Sequence, residues 1–235
     1  MRFRDAWDSL RQAQKGKRGV SLYSRWVNRP LGRVFAAAAA SAGIGPNTVT
    51  GVSALATIAG LAVLAFVPMS PLSGIGAALL LVVGFALDAA DGQVARLTGA
   101  SSRAGEWLDH VVDAGKMVGV HAAVLIGFVA SGRASGPWLL LPLGYALVSV
   151  VLFAGLTLYS LLAPAGGAPR PPSTVRAVML LPADYGILAL AFVLWGAPDV
   201  FIVVYAALLV ATTAITAMLT RKWFRSLSGP AAAPA

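Results

Sequence analysis

The chain has 235 residues, of which 58% are hydrophobic and only 11% charged, a balance that excludes both a disordered chain and an ordinary water-soluble domain. It contains no cysteine, so disulfides, thiolate zinc sites, iron–sulfur clusters and thiol catalysis are excluded together, and any metal must sit on oxygen or histidine ligands. Eighteen lysines and arginines against nine acids give a net charge of +9, but no aromatic-interleaved basic motif accompanies it. The excess reads as the topogenic signal of a membrane protein rather than a nucleic-acid-binding surface.

The first 18 residues set Trp7 and Leu10 among several cations, and residues 20–42 combine Tyr23, Trp26, Val27 and Leu31 with Arg25, Arg29 and Arg33. Such segments suit an amphipathic helix lying in the interface, its arginines among anionic headgroups of the membrane lipids; a plain positive-inside anchor is the simpler alternative. A cleavable signal peptide does not fit, because the first long apolar run starts too far into the chain.

No charge occurs between Arg33 and Asp88, and Pro68, Ser70 and Pro71 divide this apolar run in two. The first transmembrane helix is therefore predicted over 46–67 and the second from about 73 to 97. A tight turn from Thr98 to Arg103 leads into a third helix ending near Ala130, and further spans are predicted over 137–162, 174–196 and 199–220. The expected fold is an all-α membrane protein of six transmembrane helices with an N-terminal interfacial helix. Residues 1–44 form the basic interfacial segment, 45–225 the catalytic domain and 226–235 a disordered tail. An even count puts both termini on one side, and sixteen of the eighteen cations fall on that side, which predicts cytoplasmic termini in the cell membrane.

Against this apolar background stand Asp88, Asp91, Asp109 and Asp113. Each carboxylate near a helix centre costs about 2.5 to 3.5 kcal/mol to insert, so four demand a compensating function. Asp88 and Asp91 are three apart and Asp109 and Asp113 four apart, so each pair shares one face of its helix. An antiparallel hairpin turning near Ala100 brings the four together in two layers. Clustered hard oxygen ligands suit Mg²⁺ or Mn²⁺, and two such ions are the usual clamp for a phosphoryl displacement. Gly92, Ala95 and Gly105 leave space beside the carboxylates, for a ligand or for close helix packing.

The string Asp88-x2-Asp91-Gly92-x2-Ala95-Arg96-x8-Gly105-x3-Asp109-x3-Asp113, eight fixed residues over 26 positions, resembles the signature of the CDP-alcohol phosphotransferase family. Pro46-Asn47-x2-Thr50 is similar to the stretch that opens that family's first span. The resemblance implies an enzyme of phospholipid synthesis that transfers a substituted phosphate from a CDP-linked donor to an acceptor hydroxyl and releases CMP. It implies two ions held by Asp88, Asp91, Asp109 and Asp113, with Asp113 also the general base. It places Asn47, Thr50, Gly92, Ala95, Arg96, Ser102 and Gly105 around the cytidine diphosphate, and it implies a homodimer.

Two donor assignments follow from the resemblance. Asp113 is followed by Ala114-Gly115-Lys116 rather than the arginine common in synthases acting on inositol phosphate or glycerol phosphate, and the fourth span ends without a charge. These departures point away from those acceptors, while CDP-diacylglycerol remains the leading donor. The segment Gly105-Glu106-Trp107-Leu108-Asp109-His110 is similar to that of the choline and ethanolamine branch, where a CDP-linked head group meets a lipid hydroxyl. Glu106, His110, Arg170 and Arg176 are the acceptor-site candidates; Asp184 and His121 read as buried, hydrogen-bonded core groups at least as well as site residues. A transporter with ion-coupling carboxylates is the alternative of another class, but it predicts repeated halves with broken helices, and no internal repeat is evident.

Overall fold

A computed structural model describes residues 1–12, 19–132, 136–163 and 173–228, and among these every regular element is helical. The short helix α1 (Phe3–Gln12) buries Ala6 and Leu10, which join Ala36 and Ala37 of α2 (Arg29–Ser41) and Ala90 and Val94 further along in one small core. Arg33 stands 4.2 Å above the Trp7 ring, so a cation–π contact ties the two helices together. A π-helical turn over Ser24–Asn28 leads into α2. The alanine run and Gly32 let α2 lie directly on the fourth helix: a Cβ at Gly32 would come within 2.9 Å of the Ala86 carbonyl. The expected interfacial helix is therefore two helices, packed on the bundle.

Among the described residues, five helices are long and apolar enough to cross a membrane: α3 (Pro46–Phe66), α4 (Pro71–Thr98), α5 (Arg103–Ser131), the stretch Gly136–Leu162 containing α6 (Leu140–Leu162), and α9 (Pro198–Leu227). The 21 residues of α3 rise about 31 Å at 1.5 Å each, one hydrocarbon thickness. Helix starts follow local chemistry: Pro46, Pro71 and Pro198 sit in first turns, Ser70 and Ser73 form a reciprocal capping box, and Ser102 accepts from the Gly105 N–H at 3.0 Å. Gly99 ends α4 with φ of 67°, and the Ala100 N–H returns to the Ala95 carbonyl at 2.9 Å, which sets the tight turn into α5.

The predicted fifth span differs. Residues 174–196 are broken into α7 (Thr174–Met179), a 3₁₀ turn over Leu181–Ala183, and α8 (Tyr185–Ala191) continued by a 3₁₀ segment to Gly196. Pro182 lacks an N–H, and Asp184 turns its carboxylate onto the Gly186 N–H at 2.8 Å, so a new helix starts where the old one would have continued. The longest apolar helix here is the twelve-residue Tyr185–Gly196. Among the described residues, five long helices and one short apolar helix occupy the six predicted spans. The sixth predicted span continues as helix to Leu227; from residue 229 the expected tail lies outside the described residues.

The bundle core is aromatic. Phe128, Phe192, Trp195, Phe201 and Tyr205 are fully enclosed. Gly74 and Gly127 clear space for Trp195: a Cβ at Gly127 would lie 2.6 Å from its ring. At the α3–α4 contact, Ser53 donates to the Gly84 carbonyl at 2.8 Å, and a Cβ at Gly84 would lie 2.6 Å from Thr57 Oγ1. Small residues with local hydroxyl bonds are how helices approach closely without water. His121 is a satisfied core group, 2.6 Å from Tyr205 Oη and 3.0 Å from Ser149 Oγ.

Candidate active site

The α4–α5 hairpin folds one carboxylate face onto the other. Carboxylate oxygens of Asp88, Asp91 and Asp109 lie within 4.8 Å of one another, two from α4 and one from α5. Asp91 is buried and Asp88 and Asp109 are half-buried, so the group is recessed yet reachable. Thr50 of α3 donates to Asp91 Oδ2 at 2.6 Å, which fixes the carboxylate from a third helix. Three hard anionic oxygens at this separation fit a divalent cation such as Mg²⁺ or Mn²⁺.

Asp113 lies one turn deeper and makes a different contact. Its Oδ1 is 3.2 Å from the Lys116 ammonium, and the same ammonium is ion-paired with Asp88. Lys116 is only 5% exposed. Ser53 Oγ, 3.5 Å away, is its remaining polar neighbour of those measured. Sequence reasoning placed Lys116 in the third helix and gave it no role; the available signal was its position three residues after Asp113, on the same helix face.

Above the carboxylates opens a cleft of about 410 Å³. All seven residues expected around the nucleotide line it: Asn47 and Thr50 from α3, Gly92, Ala95 and Arg96 from α4, and Ser102 and Gly105 at the start of α5. A Cβ at Gly92 would meet only Arg96 Nη1, at 3.4 Å, so this glycine borders open space rather than a packed helix. A Cβ at Gly105 would touch Ser102 Oγ and Asn47 Oδ1, so the hairpin glycine and the α3 asparagine face each other. Burial, then the Arg96 and Arg25 charges, hold the Arg29 guanidinium below its ordinary value, so three guanidiniums crowd one end of the bundle. Such crowding favours an anionic ligand.

Three of the four acceptor-site candidates lie within the described residues. Glu106 lines the nucleotide cleft with Asp109. His110 turns to α6, its ring edge-on to Phe153 at 6.2 Å. Arg176 is exposed on α7, and Arg170 lies outside the described residues. A second cavity, of about 170 Å³, instead adjoins the deep side of the site between α5, α6, α8 and α9. Met117, one turn beyond Asp113, lines it with Tyr185, Leu152 and the exposed Leu156. Among the described residues the buried Tyr185 hydroxyl has no hydrogen-bond partner, and nothing in the sequence singled it out. Asp184 touches this cavity but is engaged by the Ser21 and Ser24 hydroxyls, the latter at 2.7 Å, and by the Gly186 N–H.

The profile of the CDP-alcohol phosphatidyltransferase family matches residues 44–224. Among curated proteins no sequence match is found. In fold the chain is similar to phosphatidylinositol phosphate synthase (PgsA1) of Mycobacterium tuberculosis with CDP-DAG bound, with TM-score 0.59 and 20% identity over 89% of this chain and 99% of that one. A second structure of that synthase, in complex with manganese and citrate, matches with TM-score 0.55 and 23% identity over 89% and 94% of the two chains. The family match covers the aspartate hairpin and the cleft above it, and an enzyme assignment answers the transporter alternative. The chain belongs to the CDP-alcohol phosphatidyltransferase family and is an integral-membrane phosphotransferase of phospholipid synthesis.

Proposed function

We propose that the enzyme transfers a phosphatidyl group from CDP-diacylglycerol to an acceptor hydroxyl and releases CMP. The observation that carries this reading is the meeting of three carboxylates within 4.8 Å with a cleft lined by Asn47, Thr50, Arg96 and Ser102. Arg96 supplies charge to the diphosphate, Ser102 and Asn47 supply polar contacts, and Gly92 and Ala95 leave a flat wall for the cytidine. The M. tuberculosis synthase of similar fold was crystallised with CDP-DAG, which supports the lipid-linked donor.

Asp88, Asp91 and Asp109, joined by Asp113, are the residues that would hold two divalent ions, Mg²⁺ or Mn²⁺. When bound, such ions supply charge neutralisation on the diphosphate and make CMP a better leaving group. Asp113 takes the proton from the acceptor hydroxyl; the new bond forms to the β-phosphorus as the bond to CMP breaks. Before substrate binds, Lys116 holds one oxygen of Asp113. Both termini and the cleft face the cytoplasm on this reading, because the basic residues gather on that side.

A second reading, in which a CDP-linked head group is the donor and a lipid hydroxyl the acceptor, is favoured by the apolar cavity lined by Met117, one turn beyond Asp113, and by the exposed Leu156 of α6. The unpartnered Tyr185 hydroxyl is placed to meet an alcohol there. Purified protein with Mg²⁺ and a panel of acceptors separates the two: CMP release from CDP-diacylglycerol supports the first, and release only from CDP-choline or CDP-ethanolamine with diacylglycerol supports the second. Failure with every CDP donor sinks both.

A further inference from the structure

We propose that Lys116 is a tethered cation standing at the second cation position of the aspartate cluster. One divalent ion then loads onto Asp88, Asp91 and Asp109 before substrate arrives, and a second enters only with an anionic nucleotide, as Lys116 withdraws. This rests on the metal-dependent reading above.

The cluster is partitioned. Asp88, Asp91 and Asp109 converge among themselves, whereas Asp113 is turned to Lys116. Asp88 belongs to both groups, so it joins the three converging carboxylates to the position held by the Lys116 ammonium. A lysine buried at this depth is costly to insert, and the carboxylates that it neutralises offset that cost. Removing it would take from two facing carboxylates the counter-charge that a second divalent ion would otherwise supply.

Formal charge sets the order. Four carboxylates and Lys116 leave the cluster at −3, and one divalent ion brings it to −1. A second would overshoot to +1, which is unfavourable in a site recessed from water unless an anion comes with it. A diphosphate supplies that anion. Lysine suits the part because its ammonium sits on a flexible stem with rotatable donors, unlike a planar guanidinium. Ser53 Oγ, 3.5 Å from Nζ, already donates to the Gly84 carbonyl and presents its lone pairs as the next resting place for the ammonium.

The experiment counts Mn²⁺ bound to the full chain in nanodiscs by electron paramagnetic resonance, with and without CDP. Wild type should bind one ion alone and two with CDP. Lys116→Met should bind two without CDP, and Lys116→Arg one. Two ions on wild type without CDP, or one on a folded Lys116→Met, overturns the proposal. Should Lys116→Met fail to fold, the wild-type count with and without CDP still decides. Wild type that binds no Mn²⁺ in either condition refutes the metal-dependent reading itself and this proposal with it.

Discussion

The Thr50–Asp91 hydrogen bond offers a quantitative test of how the site is held. Thr50 is 4% exposed and Asp91 6%, and the hydroxyl reaches Oδ2 at 2.6 Å across the α3–α4 contact. Thr50→Val keeps the side-chain shape and removes only the donor. Interhelical bonds between neutral groups in membranes average about 0.6 kcal/mol, and bonds to a charged acceptor about 1.5 to 3 kcal/mol. Dividing by about 1.4 kcal/mol per decade gives a loss in Mn²⁺ affinity between roughly 3-fold and 150-fold, of the size usual for groups that orient metal ligands. Thr50→Ser, which retains the hydroxyl, should stay near wild type. Isothermal titration with Mn²⁺ and with CMP reads the two functions of this residue separately. If Thr50→Val binds Mn²⁺ as wild type does but loses CMP, the hydroxyl serves the nucleotide, and the geometric argument for Asp91 is wrong.

Other substitutions probe the cleft and its supports. Gly92→Val should abolish CMP binding while leaving the detergent melting temperature within a few degrees, because a Cβ there meets only Arg96 Nη1 at 3.4 Å; a large loss of stability would show that the glycine serves packing. Gly186→Ala should destabilise by about 1 to 3 kcal/mol through overpacking, since its Cβ would fall 1.9 Å from Tyr23 Cε1. Combining it with Tyr23→Ala should recover part of that loss in thermal melts, and strict additivity would count against the contact. Ser102→Ala should cost about 1 kcal/mol as the lost cap of α5, and it should also weaken CMP binding because the same serine borders the cleft.

Much of the hairpin was legible in sequence because each part is local. Asp88 and Asp91 share a helix face by spacing, Gly99 ends α4 in the left-handed region, and Ser102 caps α5, so the carboxylates meet at the depth that simple counting gives. The break within the fifth predicted span was not legible, for the opposite reason. Its composition is apolar enough to cross, but the Asp184 carboxylate is claimed by Gly186 and by Ser21 and Ser24, some 160 residues earlier in the chain, and no window on the sequence contains that bond. Lys116 was visible as a charge within a span, yet its partners sit on two helices, and its bridging of Asp88 and Asp113 depends on hairpin register. The surroundings of the acceptor candidates were less legible: His110 packs edge-on to Phe153 of another helix and Glu106 lines the nucleotide cleft, while the apolar cavity is assembled from four helices by residues that look ordinary one at a time.

The most direct test of the central claim follows cytidine-labelled CDP-diacylglycerol with Mg²⁺ on wild type and Asp113→Asn, in the presence of a mixed pool of polar and lipid alcohols. Wild type should bind the label and release CMP, and release should stop on adding EDTA. Asp113→Asn should still bind label while release falls by about 10²- to 10⁴-fold, the worth of a positioned general base. CMP release by Asp113→Asn at the wild-type rate, or a wild-type enzyme that neither binds nor cleaves the donor, would contradict the assignment.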